Sequence, residues 1–143
     1  MKTIPESIRD WIENQAPSAD ILDGITVHIG GETSDLEPPF IAVFETGSEP
    51  FEQNDATLYG VSTYEITVEL HTLPTSDGTT AENEALMREA LFDILEDRDM
   101  LFPWIENRNS WRIFDIRLPS PITVSEDGVR VSRFALTVIA CPI

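Results

Sequence analysis

Glu65, Glu69 and His71 fall on one face of a strand-like run, Tyr59 to Thr72. They are the residues of this chain best suited to general acid–base or metal chemistry. In that run Tyr64, Ile66, Val68 and Leu70 alternate with Thr63, Glu65, Thr67, Glu69 and His71, which is the period of a strand with one buried face. A rise of about 3.3 Å per residue sets Glu65 and Glu69 about 13 Å apart, and Glu69 and His71 about 7 Å apart. The first spacing is too wide for a carboxylate dyad. The second serves one metal only if the side chains converge. A metal-dependent enzyme using Glu65, Glu69 and His71 is therefore the alternative reading. An exposed or channel-facing sheet surface is the expectation, because no other residue completes a site there.

Other reactive side chains are isolated. Glu45, Glu49, Glu52 and Asp55 lie in or beside a polar, turn-rich stretch, Thr46 to Ala56, which reads as a protruding loop or loose hairpin arm. Their spacing matches no EF-hand loop. His28 stands alone in the short strand Ile25 to Ile29, with no second metal ligand nearby, and reads as structural. Gly30-Gly31-Glu32 is followed by no Lys-Ser/Thr pair and opens no helix, so it is not a phosphate loop. Cys141 is the single cysteine, which rules out an internal disulfide and reads as a small hydrophobe rather than a nucleophile. There is no G-x-S-x-G, P-loop, G-x-G-x-x-G, H-E-x-x-H or C-x-x-C. Neither a catalytic residue, a metal site nor a cofactor is expected, and the chain reads as a non-enzyme.

Charge is the unusual property. The sequence has 26 acidic against 9 basic residues, a net charge of -17. Lys2 is the only lysine. Such a balance opposes loose binding to nucleic-acid phosphates. It suits either a channel through which DNA slides without sticking, or a host rich in salt, where self-repulsion is screened. Arg112, Arg117, Arg130 and Arg133 concentrate nearly half of the cations on the last two strands. They could meet acidic residues of a neighbouring subunit, or pair across their own hairpin.

The elements that must position these residues are legible from periodicity. Thr3 to Gln15 reads as a helix with a Thr3/Glu6 capping box and an apolar stripe of Ile4, Ile8, Trp11 and Ile12. Thr79 to Asp99 reads as the long central helix. Met87, Ala90, Leu91, Ile94 and Leu95 share its inner face, Thr79 and Glu82 fit a capping box, and Glu84 can pair with Arg88 one turn on. Phe40 to Phe44 is a near-continuous apolar run, as in a central strand. Met100 to Ile105 reads as a short turn tucked under the sheet. Trp111 to Leu118 reads as a strand with Arg112, Phe114, Ile116 and Leu118 on one side, broken by Pro119 and Pro121. Ser125 to Gly128 reads as a turn, and Val129 to Ala140 as a final strand pairing back onto the previous one. The whole is a single α+β domain, residues 1–143. Its sheet is expected to be mostly antiparallel, with four to five strands, packed by an N-terminal helix and one long central helix. No apolar run approaches the length of a membrane span, and the N-terminus lacks a signal-like apolar stretch, so a non-exported protein without a membrane partner is expected.

The order of the pieces PPFIAVFETGSEPFEQNDATLYG, STYEITVELHTLP, ENEALMREALFDIL and GVRVSRFALTVIACPI resembles the lambda-type tail-terminator family of long-tailed phages. There an N-terminal helix precedes a strand ending in a T-G turn, here Thr46-Gly47. An acidic arm follows, then a strand of the form x-E-L-x-V-x-L, here Tyr64 to Leu70, a helix and a closing strand. The Pro119–Pro121 segment with the long final hairpin departs from that pattern. The resemblance implies a virion protein of a bacteriophage or archaeal tailed virus, assembled in the host cytoplasm. Such a protein forms a ring, usually a hexamer, at the head-proximal end of the tail tube. It stops tube growth, offers the head or its connector a docking surface, and lets genomic DNA pass through its lumen without specific binding. Its partners would be copies of itself, the tail tube protein and neck proteins. A head–tail joining (neck) protein is the alternative within the same fold. On this reading Glu45, Glu49, Glu52 and Asp55, or the Glu65/Glu69 face, line the lumen or a contact with subunit or tail tube.

Overall fold

The computed structural model describes residues 2–53, 56–73, 81–109, 111–126 and 128–142. The chain runs α1 (Ile4–Gln15), two single 3-10 turns, β1 (Thr26–Ile29), β2 (Phe40–Gln53), β3 (Ala56–Thr72), α2 (Ala81–Glu96), α3 (Arg98–Asn109), β4 (Trp111–Arg117), β5 (Ile122–Glu126) and β6 (Val129–Pro142). The strands form one six-stranded sheet in the order β1-β2-β3-β6-β4, with β5 also on β6. Every pairing is antiparallel except β1 with β2, which is parallel. The fold is α+β, with one strand more than the sequence implied and a third helix.

Each addition has a physical cause. Met100 to Ile105 is part of helix α3, not a turn, although Pro103 sits inside it. A proline there removes one backbone donor. Pro103 faces solvent, while Leu101 and Ile105, four apart, are fully buried, so the inward stripe prevails. The extra strand is β5, between the two prolines and the Gly128 turn. It pairs with β6 from Ile122↔Arg133 to Glu126↔Val129. β4 and β5 are thus two pieces of one interrupted strand along β6.

The helices cover one face of the sheet. Ile41, Val43, Ile66, Val68, Leu70, Phe134, Leu136 and Val138 line that face and meet Ile8 and Ile12 of α1, Met87, Leu91 and Leu95 of α2, and Leu101 and Ile105 of α3. The start of α1 is as expected: Thr3 caps it, accepting from the Glu6 amide, while Glu6 returns a carboxylate to Thr3. The corresponding box at α2 lies outside the described residues at Thr79. The three tryptophans fasten the layers, each donating its indole N–H to a main-chain carbonyl. Trp11 reaches Ile94 at 2.9 Å, Trp104 reaches Ser7 at 3.1 Å and Trp111 reaches Lys2 at 3.0 Å.

Register shifts fall between Glu45 and Gly47, between Pro50 and Glu52, and between Ile113 and Asp115, and the first and last of them re-aim side chains. Thr46-Gly47 is not a turn: β2 continues through it to Gln53, with a register shift between Glu45 and Gly47. In β4 the shift falls between Ile113 and Asp115. Simple alternation would place Phe114 beside Ile116. The bulge instead buries Trp111, Ile113 and Ile116 together and leaves Phe114 exposed with Arg112.

Candidate functional site: the open face and edges of the sheet

The face away from the helices carries the side chains that the sequence singled out. Rows of register place His28, Ala42, Glu69, Arg133 and Ile122 across it, with Phe40, His71, Val131 and Val124 one step along. Glu69 is the centre of this surface. Its Oε1 lies 3.1 Å from His71 Nε2, and its Oε2 accepts from Arg133 Nε at 2.6 Å. The His71 ring stacks on Phe40 with centroids 4.3 Å apart. The side chains of Glu69 and His71 are only 12% and 13% exposed. The hydrogen bond from His71, opposed by burial and assisted by Arg133, holds the Glu69 carboxyl below its ordinary range.

Glu69 and His71 thus do converge across their two-residue spacing, but with an arginine on the second carboxylate oxygen. Glu65 does not join them. It is exposed, and its Oε2 accepts from Thr137 Oγ1 at 3.0 Å. Among the described residues no three His, Cys, Asp or Glu side chains come together as a metal site. Both oxygens of Glu69 are satisfied, and Glu65 is held by Thr137.

The four hairpin arginines are placed as follows. Arg133 pairs with Glu69, so its partner is on β3. Arg117 Nε donates to Asp115 Oδ2 at 2.9 Å along β4. Arg130 Nε sits 3.1 Å from Glu84 Oε2 on α2, off the line of a hydrogen bond. Arg112 is exposed on β4 and makes no ion pair among the described residues. Three of the four therefore have a carboxylate of their own chain, and only Arg117 finds it within the final hairpin. Glu84 was placed by sequence on α2 with Arg88, and that pair forms at 2.9 Å. The sequence did not show that Glu84 is buried, its side chain 3% exposed between Arg88 and Arg130. The signal lay three residues before Met87, on the same helical face.

Glu45 and Glu49 are exposed on the outer part of β2, whose pairing with β3 carries the hairpin out to Gln53↔Ala56. Glu52 belongs to this hairpin by its pairing with Thr57, and Asp55 lies outside the described residues. The arm is therefore a β-hairpin, not a loop. No sequence signal announced the hollow at its base. A cleft of about 920 Å³ opens where α1 begins over the sheet, walled by Phe44, Tyr64 and Trp111, with Lys2, Arg9 and Glu45 on its sides. Tyr64 and Trp111 meet edge to face at 5.5 Å. Lys2 and Arg9 both turn to Asp10, whose carboxyl stays below its ordinary range because those bonds outweigh its burial.

No helix among the described residues is long and apolar enough to cross a membrane. The sequence matches no protein-family model and no curated protein.

Proposed function

We propose that this protein is a structural ring component of a tailed-virus particle, a tail terminator at the head-proximal end of the tail tube. The observation that carries the reading is the β2–β3 hairpin. It carries exposed Glu45 at its base and Glu49 farther out, while Glu69 on the open face is held by Arg133 and His71. An arm with exposed carboxylates suits contact with protein and repulsion of passing phosphate. The chain keeps the helix, acidic arm, helix and closing strand of the resemblance noted above, and departs from it in having no turn at Thr46-Gly47 and in adding α3 and β5. Self-assembly, contact with the tube protein and with neck proteins, and passage of DNA through an acidic lumen follow from this reading.

Deleting the gene from the genome that carries it, then measuring tails by electron microscopy, tests the proposal. Overlong tails are expected. Tails of normal length that fail to join heads would replace the terminator with a neck protein. Normal infectious particles would overturn both. Replacing Glu65, Glu69 and His71 together tests the enzyme alternative, since particles that still assemble and infect would end it.

A further inference from the structure

The sheet has two bare edges of opposite character. β1 pairs only with Phe40 to Val43 of β2. From Phe44 to Gln53 no described strand lies on the outer side of β2, so this half of it is an edge. The other edge is β4, whose only neighbour is β6. No Lys or Arg occurs between Arg9 and Arg88, so β1, β2 and β3 carry carboxylates and no lysine or arginine. All arginines of the sheet lie on β4 and β6.

Side-chain placement sharpens the contrast. The β4 bulge turns Phe114 outward, 52% exposed, between Arg112 and Arg117, both of which face solvent. An exposed aromatic ring beside Arg112 and the Arg117–Asp115 pair, on an unpaired strand, has the composition of an interface centre. Glu49 lies in the register row Glu49–Thr63–Ile139–Asp115, on the same side of the sheet as Arg112 and Arg117. Glu45 is exposed on the same edge, but the bulge after it puts it in the row Glu45–Ile66–Leu136, on the helix side of the sheet.

We propose that the β4 edge of one copy docks against the outer edge of β2 in the next, with Arg112 and Arg117 meeting Glu49 around Phe114. The occupant is a second copy because the chain itself carries the complementary strip. The two strips are different surfaces, so the contact is heterologous: each copy offers one edge and receives the other. Such a contact repeats head to tail and closes into a ring when the rotation allows. The inference rests on the ring reading and assigns its subunit interface.

Two charge-reversed proteins test it, by light scattering in low and in molar salt, with circular dichroism to confirm folding. One carries Arg112→Glu and Arg117→Glu, the other Glu49→Arg. The wild type is expected as a closed oligomer and each variant as a folded single chain. Mixed in equal amounts, the variants should restore the oligomer, because every reversed edge then meets its opposite. If both variants keep the wild-type mass, the assigned contact is wrong although the ring stands. If each variant falls apart but the mixture does not recover, the two edges do not face one another. A wild type that is a single chain in both salts removes the free ring and this contact together.

Discussion

Arg133 on β6 holds Glu69 on β3 through a 2.6 Å bond from Nε to Oε2, while His71 occupies the other carboxylate oxygen. The pair joins two central strands on the face that no helix covers. Glu69→Gln keeps the shape and removes the charge. It is expected to cost about 1.5–3 kcal/mol, the range for a hydrogen bond to a charged group. A fall in the urea midpoint at unchanged slope would register it.

The same carboxylate sets a pH dependence. Its folded-state pKa is depressed below the ordinary value of 4.5, chiefly by His71. The unfolded chain therefore binds the proton more readily. The stabilisation is complete above the unfolded pKa and is lost as pH falls through the lower folded value. Stability of the wild type should decline as the solution is acidified below about pH 4.5. The decline should be shallower in Glu69→Gln, as measured by denaturant titrations at a series of acidic pH values.

Glu84 yields an ordering of mutants. It is buried, whereas Arg88 and Arg130 each keep part of the guanidinium in water, with side chains 30% and 41% exposed. Removing both arginines strands a charge inside and should cost about 3–5 kcal/mol. Glu84→Gln leaves only cations that water can reach, and should cost about 1–3 kcal/mol. Thermal melts of the two proteins, side by side, decide whether the order holds.

Two phenylalanines should behave oppositely. Phe134 is fully buried under the helices, and Phe134→Ala is expected to lose about 3–5 kcal/mol. Phe114 is turned out by its bulge, and Phe114→Ser should change the stability of the isolated chain by no more than about 0.5 kcal/mol. Equilibrium unfolding of dilute single chains measures both.

Much of this architecture could be read from periodicity. α1, the inner face of α2, and the alternation from Tyr64 to His71 all follow from spacing, because burial imposes a repeat on every residue of a long element. What escaped was local. Pro103 reads as a breaker until Leu101 and Ile105 are seen buried on one side of a helix. Phe114 looks like an inward residue until a single unpaired position in β4 shifts the phase. β5 is too short, and too closely bounded by prolines and a turn, to declare itself. At the surface, sequence placed Glu65, Glu69 and His71 on one face but could not show which carboxylate would take Arg133 or that His71 would reach Glu69. Those choices depend on β6 lying beside β3, a contact between distant parts of the chain. The cleft beneath α1 has the same origin.

The Pro119-Ser120-Pro121 break has a further consequence. β4 and β5 lie end to end along one side of β6, paired at Arg117↔Thr137 and again at Ile122↔Arg133, with nothing on that side paired to Phe134, Ala135 or Leu136. A continuous outer strand along β6 would offer a long template on which unfolded chains could add indefinitely. Divided by prolines, the rim is too short and too interrupted for that growth. The break thereby shortens the stretch of this rim open to an added strand, a restraint that does not depend on repulsion between like-charged copies, which salt screens.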